Sequence, residues 1–136
     1  SGLGDKSLAE EMAKSPTAYM GIAATDFPNY FFAAGPNGLA INASYFANVE
    51  RNVKTIVSLL KEKQKSGIQA LVVNPNICNG YNQDLSLKFS QFSWGASNCN
   101  SYYRTASGHA PFLFPGSFKE YNNLHNSCNI SAFDSL

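Results

Sequence analysis

Between Tyr45 and about Lys65, apolar residues return every three or four positions, at Phe46, Val49, Val53, Ile56, Val57 and Leu60, with Arg51, Lys54, Lys61 and Lys65 falling elsewhere. This period matches the turn of an α-helix and predicts an amphipathic helix that packs its apolar side inward. Gly67 ends it, and the stretch Ile68 to Val73 predicts a strand that stops before Asn74-Pro75. A further helix over about 80–92 would bring Tyr81, Leu85, Phe89 and Phe92 onto one side. Upstream, Ser7-Leu8-Ala9-Glu10 has the spacing of a capping box, which predicts a short helix over about 8–14 that stops before Pro16. The apolar run Tyr30 to Ala34, closed by Gly35-Pro36-Asn37-Gly38, predicts a buried strand ending in a turn. After Trp94 the pattern breaks into short extended pieces, Ser101 to Arg104 and Pro111 to Phe114, and the Asn- and Ser-rich tail from Asn122 to Leu136 is expected to be partly loose. The elements add up to a small single α+β domain over 1–136, with about three helices, short strands and an irregular β-rich C-terminal lobe.

Composition narrows the class. A chain of 136 residues buries one core and is too short for two cofactor-binding domains. Apolar residues make up 44% and charged residues 14%, below the globular norm of about 25% charged, so the surface is poor in charge. Net charge is +1 and the lysines are spread along one helix, which excludes nucleic acid and anionic membrane as partners. No run approaches the roughly 18 apolar residues of a membrane span, and a cytoplasmic location is expected. Cys78, Cys99 and Cys128 form no CxxC pair, and His109 and His125 stand sixteen residues apart without an acidic pattern, so neither a disulfide framework nor a metal site is expected. No phosphate-binding glycine motif follows a strand, because Gly2-Leu3-Gly4 has no strand before it.

The order of segments is more specific than any one of them. Gly4-Asp5-Lys6-Ser7-Leu8-Ala9-Glu10, Ala18 to Ala23, Phe27-Pro28-Asn29-Tyr30-Phe31 and Gly35-Pro36-Asn37 are followed by a helix centred on Glu50. Then come Ser93-Trp94-Gly95 to Cys99, Ser101 to Gly108, and Phe114-Pro115-Gly116-Ser117. In this order the chain resembles, over nearly its whole length, the C-terminal region of Baeyer–Villiger-type flavin monooxygenases. The resemblance implies a remnant of the FAD domain, with Gly35, Pro36 and Asn37 facing the flavin space. The FAD fingerprint, the NADP domain and the signature joining them have no counterpart here, so no cofactor is expected.

Three functions follow from that combination. The first is a cofactor-independent cyclase or isomerase of natural-product biosynthesis, Diels–Alderase-like, closing an apolar intermediate in the vacated flavin and substrate pocket. The alternatives are a fragment of an FAD- and NADPH-dependent monooxygenase and a non-catalytic subunit. For a cyclase, Arg104 is the leading donor to a substrate carbonyl, a surface salt bridge being its alternative, with Tyr103 and His109 beside it as catalytic candidates. Asn37, Asn42, Tyr45, Trp94, Tyr102 and Phe112 are the substrate-binding candidates. Turn-making and helix capping account equally for the two asparagines, and core packing for Trp94 and Phe112. For Glu50 a buried acid or base is the alternative to the favoured reading, a helix-surface partner for Lys54. A face shaped to meet absent domains predicts a homodimer or larger homo-oligomer.

Overall fold

The computed structural model describes residues 1–92 and 110–136. In chain order they form α1 (Leu8–Lys14), α2 (Tyr45–Lys65), β1 (Leu71–Val73), α3 (Pro75–Phe89), α4 (Phe118–Ser127) and β2 (Phe133–Ser135), with 3-10 turns at Leu3–Asp5 and Ile130–Ala132. The α+β class holds. α2 has the bounds its periodicity predicts. Ser44 Oγ accepts from the Ala47 amide at 3.1 Å to open it, and Gly67, at φ 68°, takes the left-handed conformation that closes it.

The side that α2 buries is not the predicted one. Asn48, Asn52, Thr55 and Leu59 are buried, while Phe46 is 80% exposed and Val53, Val57 and Leu60 are each 41% exposed. The cause lies in what packs there. The chain from Ala33 to Ala40 crosses this face and presents bare backbone groups, which must find partners once buried. Asn52 Nδ2 donates to the carbonyls of Ala33 and Gly38, at 2.9 and 3.2 Å. Asn48 Oδ1 accepts from the Ala40 amide at 2.8 Å, and its Nδ2 donates to the Ser44 carbonyl at 3.0 Å. Leucines at these positions would leave the loop unsatisfied.

The C-terminal lobe is more regular than its composition suggests. Ser117 and Glu120 form a reciprocal capping box, and α4 turns Tyr121 and His125 toward α2. The predicted box at the start of α1 does not form: Ser7 makes no side-chain cap, and Lys6 instead pairs with Asp26. β2 joins β1 antiparallel, with Leu71 opposite Ser135, Val72 opposite Asp134 and Val73 opposite Phe133. The supposed loose tail is therefore half of the sheet. Asn74 and Pro75, expected to end the strand, also start α3: Asn74 Oδ1 accepts from the Asn76 amide at 3.0 Å and Pro75 occupies the first turn.

The run Tyr30 to Ala34 is not a buried strand. Tyr30 is exposed and only Phe31 makes a bridge, to Ala23. The run instead wraps a tight turn at Tyr19–Ile22, whose central residues Met20 and Gly21 have φ of 52° and 68° and whose closing bond runs from the Ile22 amide to the Tyr19 carbonyl at 3.0 Å. Two apolar clusters result, one around Ile22, Leu59, Leu71 and Val73, the other around Ala40, Leu85, Phe89 and Phe114. No helix among the described residues is long and apolar enough to cross a membrane.

Candidate functional site

Close backbone contact fixes the loop that follows Ala34. The Gly35 amide donates to the Gly21 carbonyl at 2.9 Å, and a Cβ on Gly21 would stand 2.2 Å from Gly38 Cα. Only glycine at these points lets the two loops touch. Asn37 then holds the next segment. Its backbone amide donates to the Pro111 carbonyl at 2.6 Å, and its side-chain Nδ2 donates to the carbonyls of Ala110 and Leu113, both at 2.8 Å. Leu39 and Ala40 continue the seam, because the Phe114 amide donates to the Leu39 carbonyl at 2.8 Å and Ala40 bridges Phe114 in parallel.

This stitching leaves an open groove of about 470 Å³ between α1, the 32–39 loop, the first turn of α2 and the 111–112 segment. Met12, Phe32, Leu39, Tyr45 and Phe112 supply its walls, with Gly35 and Pro36 in the floor. No lining residue carries a charge. The groove suits a flat or apolar molecule, and the described side chains lining it include no carboxylate, histidine, lysine or cysteine, the Tyr45 hydroxyl being their one ionisable group.

Of the sequence-predicted site residues, Tyr45 and Phe112 both line this groove, 57% and 51% exposed. Asn37 does not face it: at 1% exposure both its amide hydrogens are spent inside the protein, so it clamps the loop where a ligand donor was expected. Asn42 accepts the Phe118 amide at 2.6 Å and so ties the start of α4 to the loop before α2. Glu50 pairs with Lys54 at 2.9 Å on the exposed side of α2. Arg104, Tyr103, His109, Trp94 and Tyr102 lie outside the described residues.

Sequence reasoning missed a buried polar seam behind the groove. The Tyr121 hydroxyl shares its hydrogen between Asn52 Oδ1 at 2.6 Å and the Met20 carbonyl at 3.1 Å, and Thr55 Oγ1 lies 2.8 Å from His125 Nδ1. Burial, then the charge of Arg51, push His125 down to about 4 against a weaker pull from the Met20 backbone, so the ring is neutral at pH 7. Burial drives the Tyr121 hydroxyl well above the ordinary tyrosine range. Neither ring reaches the groove lining. The one signal for the seam was the i, i+4 spacing of Asn48 and Asn52, poor helix formers repeated on a single stripe.

Comparison with known proteins gives this groove its context. No family model matches the chain. A Baeyer–Villiger monooxygenase of Pseudomonas aeruginosa is 29% identical over 134 residues, which is 97% of this chain and 25% of that protein. One from Streptomyces coelicolor is 24% identical over 136 residues, and the FAD-binding monooxygenase stcW of Emericella nidulans is 27% identical over 115 residues. The chain matches a partial region of flavin monooxygenases. Its fold agrees as well: a steroid monooxygenase bound to NADP superposes with a TM-score of 0.84 over 99% of this chain and 26% of the other, at 20% identity. A cyclohexanone monooxygenase in its closed form gives 0.82 over the same shares, at 19% identity. The chain thus spans about a quarter of the length of these relatives.

The cofactor such relatives imply is FAD, and the described residues do not make a site for it unaided. The groove would take an apolar ring, but it offers no cation to a diphosphate. The space that the glycines leave is already taken: a Cβ on Gly35 would stand 2.7 Å from the Gly21 carbonyl oxygen and 2.8 Å from Phe32. The amide of Ala47 at the head of α2 is already held by Ser44.

Proposed function

We propose that this chain forms the C-terminal part of a Baeyer–Villiger-type flavin monooxygenase, dependent on FAD and NADPH, and that its groove is one wall of the space where an apolar ketone is held. The observation that carries this is the match of nearly the whole chain, in sequence and in fold, to one quarter of such enzymes. The groove supports it: an uncharged wall of Tyr45, Phe32 and Phe112 excludes water from an apolar substrate and leaves the redox chemistry to the rest of the fold. Asn37, Gly21 and Gly38 position that wall without touching what it binds.

A cofactor-free cyclase, the first expectation from sequence, has no observation in its favour among the described residues. The groove is open, its lining holds no charged donor, and Arg104 lies outside the described segments.

The test is a chimera in which this chain replaces the matching quarter of the Pseudomonas aeruginosa enzyme. It should keep flavin through gel filtration at about one per chain and oxygenate an apolar ketone, whereas the isolated 136-residue chain should elute colourless. A folded chimera that loses its flavin, or an isolated chain that carries a stoichiometric flavin spectrum, defeats the proposal.

A further inference from the structure

α2 is packed the opposite way round from a surface helix. Its polar stripe, Asn48, Asn52 and Thr55, is buried by this chain's own loops and α4, and although Leu59 and Ile56 pack on the core, Phe46, Val53, Val57 and Leu60 point outward. Phe46, Val53, Val57 and Leu60 follow one another at steps of seven, four and three residues, which places them on one side of the helix over a rise of about 21 Å. Ile41 and Tyr45 extend the exposed apolar surface past the head of the helix. A shallow groove runs alongside, with Val53 and Val57 in its floor and Glu50, Lys54 and Lys61 at its rim. An apolar centre within a charged rim is the pattern of a surface built to be covered.

Two observations say what covers it. The solved proteins that share this fold are about four times as long, so most of their mass lies beside the part matched here. The stripe is also continuous with the substrate wall, because Tyr45 stands at its head and lines the groove. We propose that the outward face of α2 is the docking surface for the remaining, nucleotide-binding three-quarters of the monooxygenase fold, through an apolar element with an acidic residue placed opposite Lys61. This rests on the reading of the chain as part of such an enzyme and adds where the parts meet. A body seated on Phe46 to Leu60 reaches Tyr45, so docking and closure of the substrate groove occur together.

The experiment compares Val53→Asp combined with Val57→Asp in two settings. Both side chains are already part exposed in the isolated chain, so its melting temperature should move by no more than about 2 °C and its circular dichroism should be unchanged. In the chimera with the Pseudomonas aeruginosa enzyme the same pair would be buried unpaired, and the melting temperature should fall by about 5–10 °C. Equal shifts in the two settings, or none in the chimera, overturn the proposal. So does an isolated chain that is dimeric at micromolar concentration and that the pair of substitutions splits into monomers, since the face then serves a second copy. Flavin retention is read separately: a chimera that holds flavin yet ignores the substitutions sinks the docking surface and leaves the function standing. A destabilised variant of a chimera that folds without flavin does the reverse, and a chimera that never folds counts against both.

Discussion

α2 borders two interiors of different kind. Toward Ile22, Leu71 and Val73 it offers Leu59, whose contribution to that region is apolar contact. Toward the 33–40 loop and α4 it offers Asn48, Asn52 and Thr55, and that region closes by hydrogen bonds to named backbone groups and to Tyr121 and His125. The first kind of interior asks for volume and accepts any side chain that fills it. The second asks for one donor at one place. The loop that carries Gly35, Asn37 and Leu39 is held by the second kind, which sets its register on the helix and therefore the shape of the groove.

The largest effect should come where the two loops behind the groove touch. Gly21→Ala would set a Cβ 2.2 Å from Gly38 Cα at a residue whose φ is 68°, and should cost more than about 4 kcal/mol, seen as loss of soluble folded protein. The second test separates filling from bonding. Asn52→Leu keeps the branched shape of the side chain but strands the carbonyls of Ala33 and Gly38 and leaves the Tyr121 hydroxyl with the Met20 carbonyl alone, so urea unfolding should show a loss of about 3 kcal/mol. Leu59→Met, in the apolar interior, should stay within about 1.5 kcal/mol. If the two substitutions cost the same, the distinction between the interiors fails.

A third test uses acid. His125 has its folded value depressed to about 4 from an ordinary 6.5, so the unfolded chain binds the proton more tightly. Stability from this group is whole above pH 6.5 and drains away as pH falls toward 4, by roughly 3 kcal/mol at most. Denaturation at a series of pH values should show that slope, and His125→Asn should flatten it. The smallest effect lies away from both interiors. In α3, a Cβ at Gly80 meets nothing within 4 Å, so Gly80→Ala should stabilise the protein by about 0.5–1 kcal/mol, as a small rise in melting temperature.

Periodicity made the existence and bounds of α2 legible, because 21 residues of regular spacing outweigh local noise. It misplaced the buried side because a pattern reports where apolar residues fall, not which surface the rest of the fold covers. α4 and β2 were hidden for a related reason. Polar composition reads as loop, yet α4 buries Tyr121 and His125 and packs Phe118 and Leu124 against the core, and Phe133 is the single buried residue of β2. At the groove, Tyr45 and Phe112, both named from the sequence, share one lining, though nothing in the sequence separated a pocket role for Phe112 from core packing. Asn37 was misjudged since an asparagine in a Gly-Pro-Asn-Gly stretch looks the same whether its amide points at a ligand or, as here, at Ala110 and Leu113.

The pairing of β1 with β2 also bears on how the protein emerges from the ribosome. Val73 must wait for Phe133, sixty residues later, before its strand has a neighbour, and the asparagine stripe of α2 must wait for Tyr121. At about 5–20 residues per second this leaves several seconds in which α2 and β1 have been synthesised but stand bare. During that interval both sides of α2 are uncovered, one apolar and one polar, which makes the nascent chain a natural client for chaperones until α4 arrives.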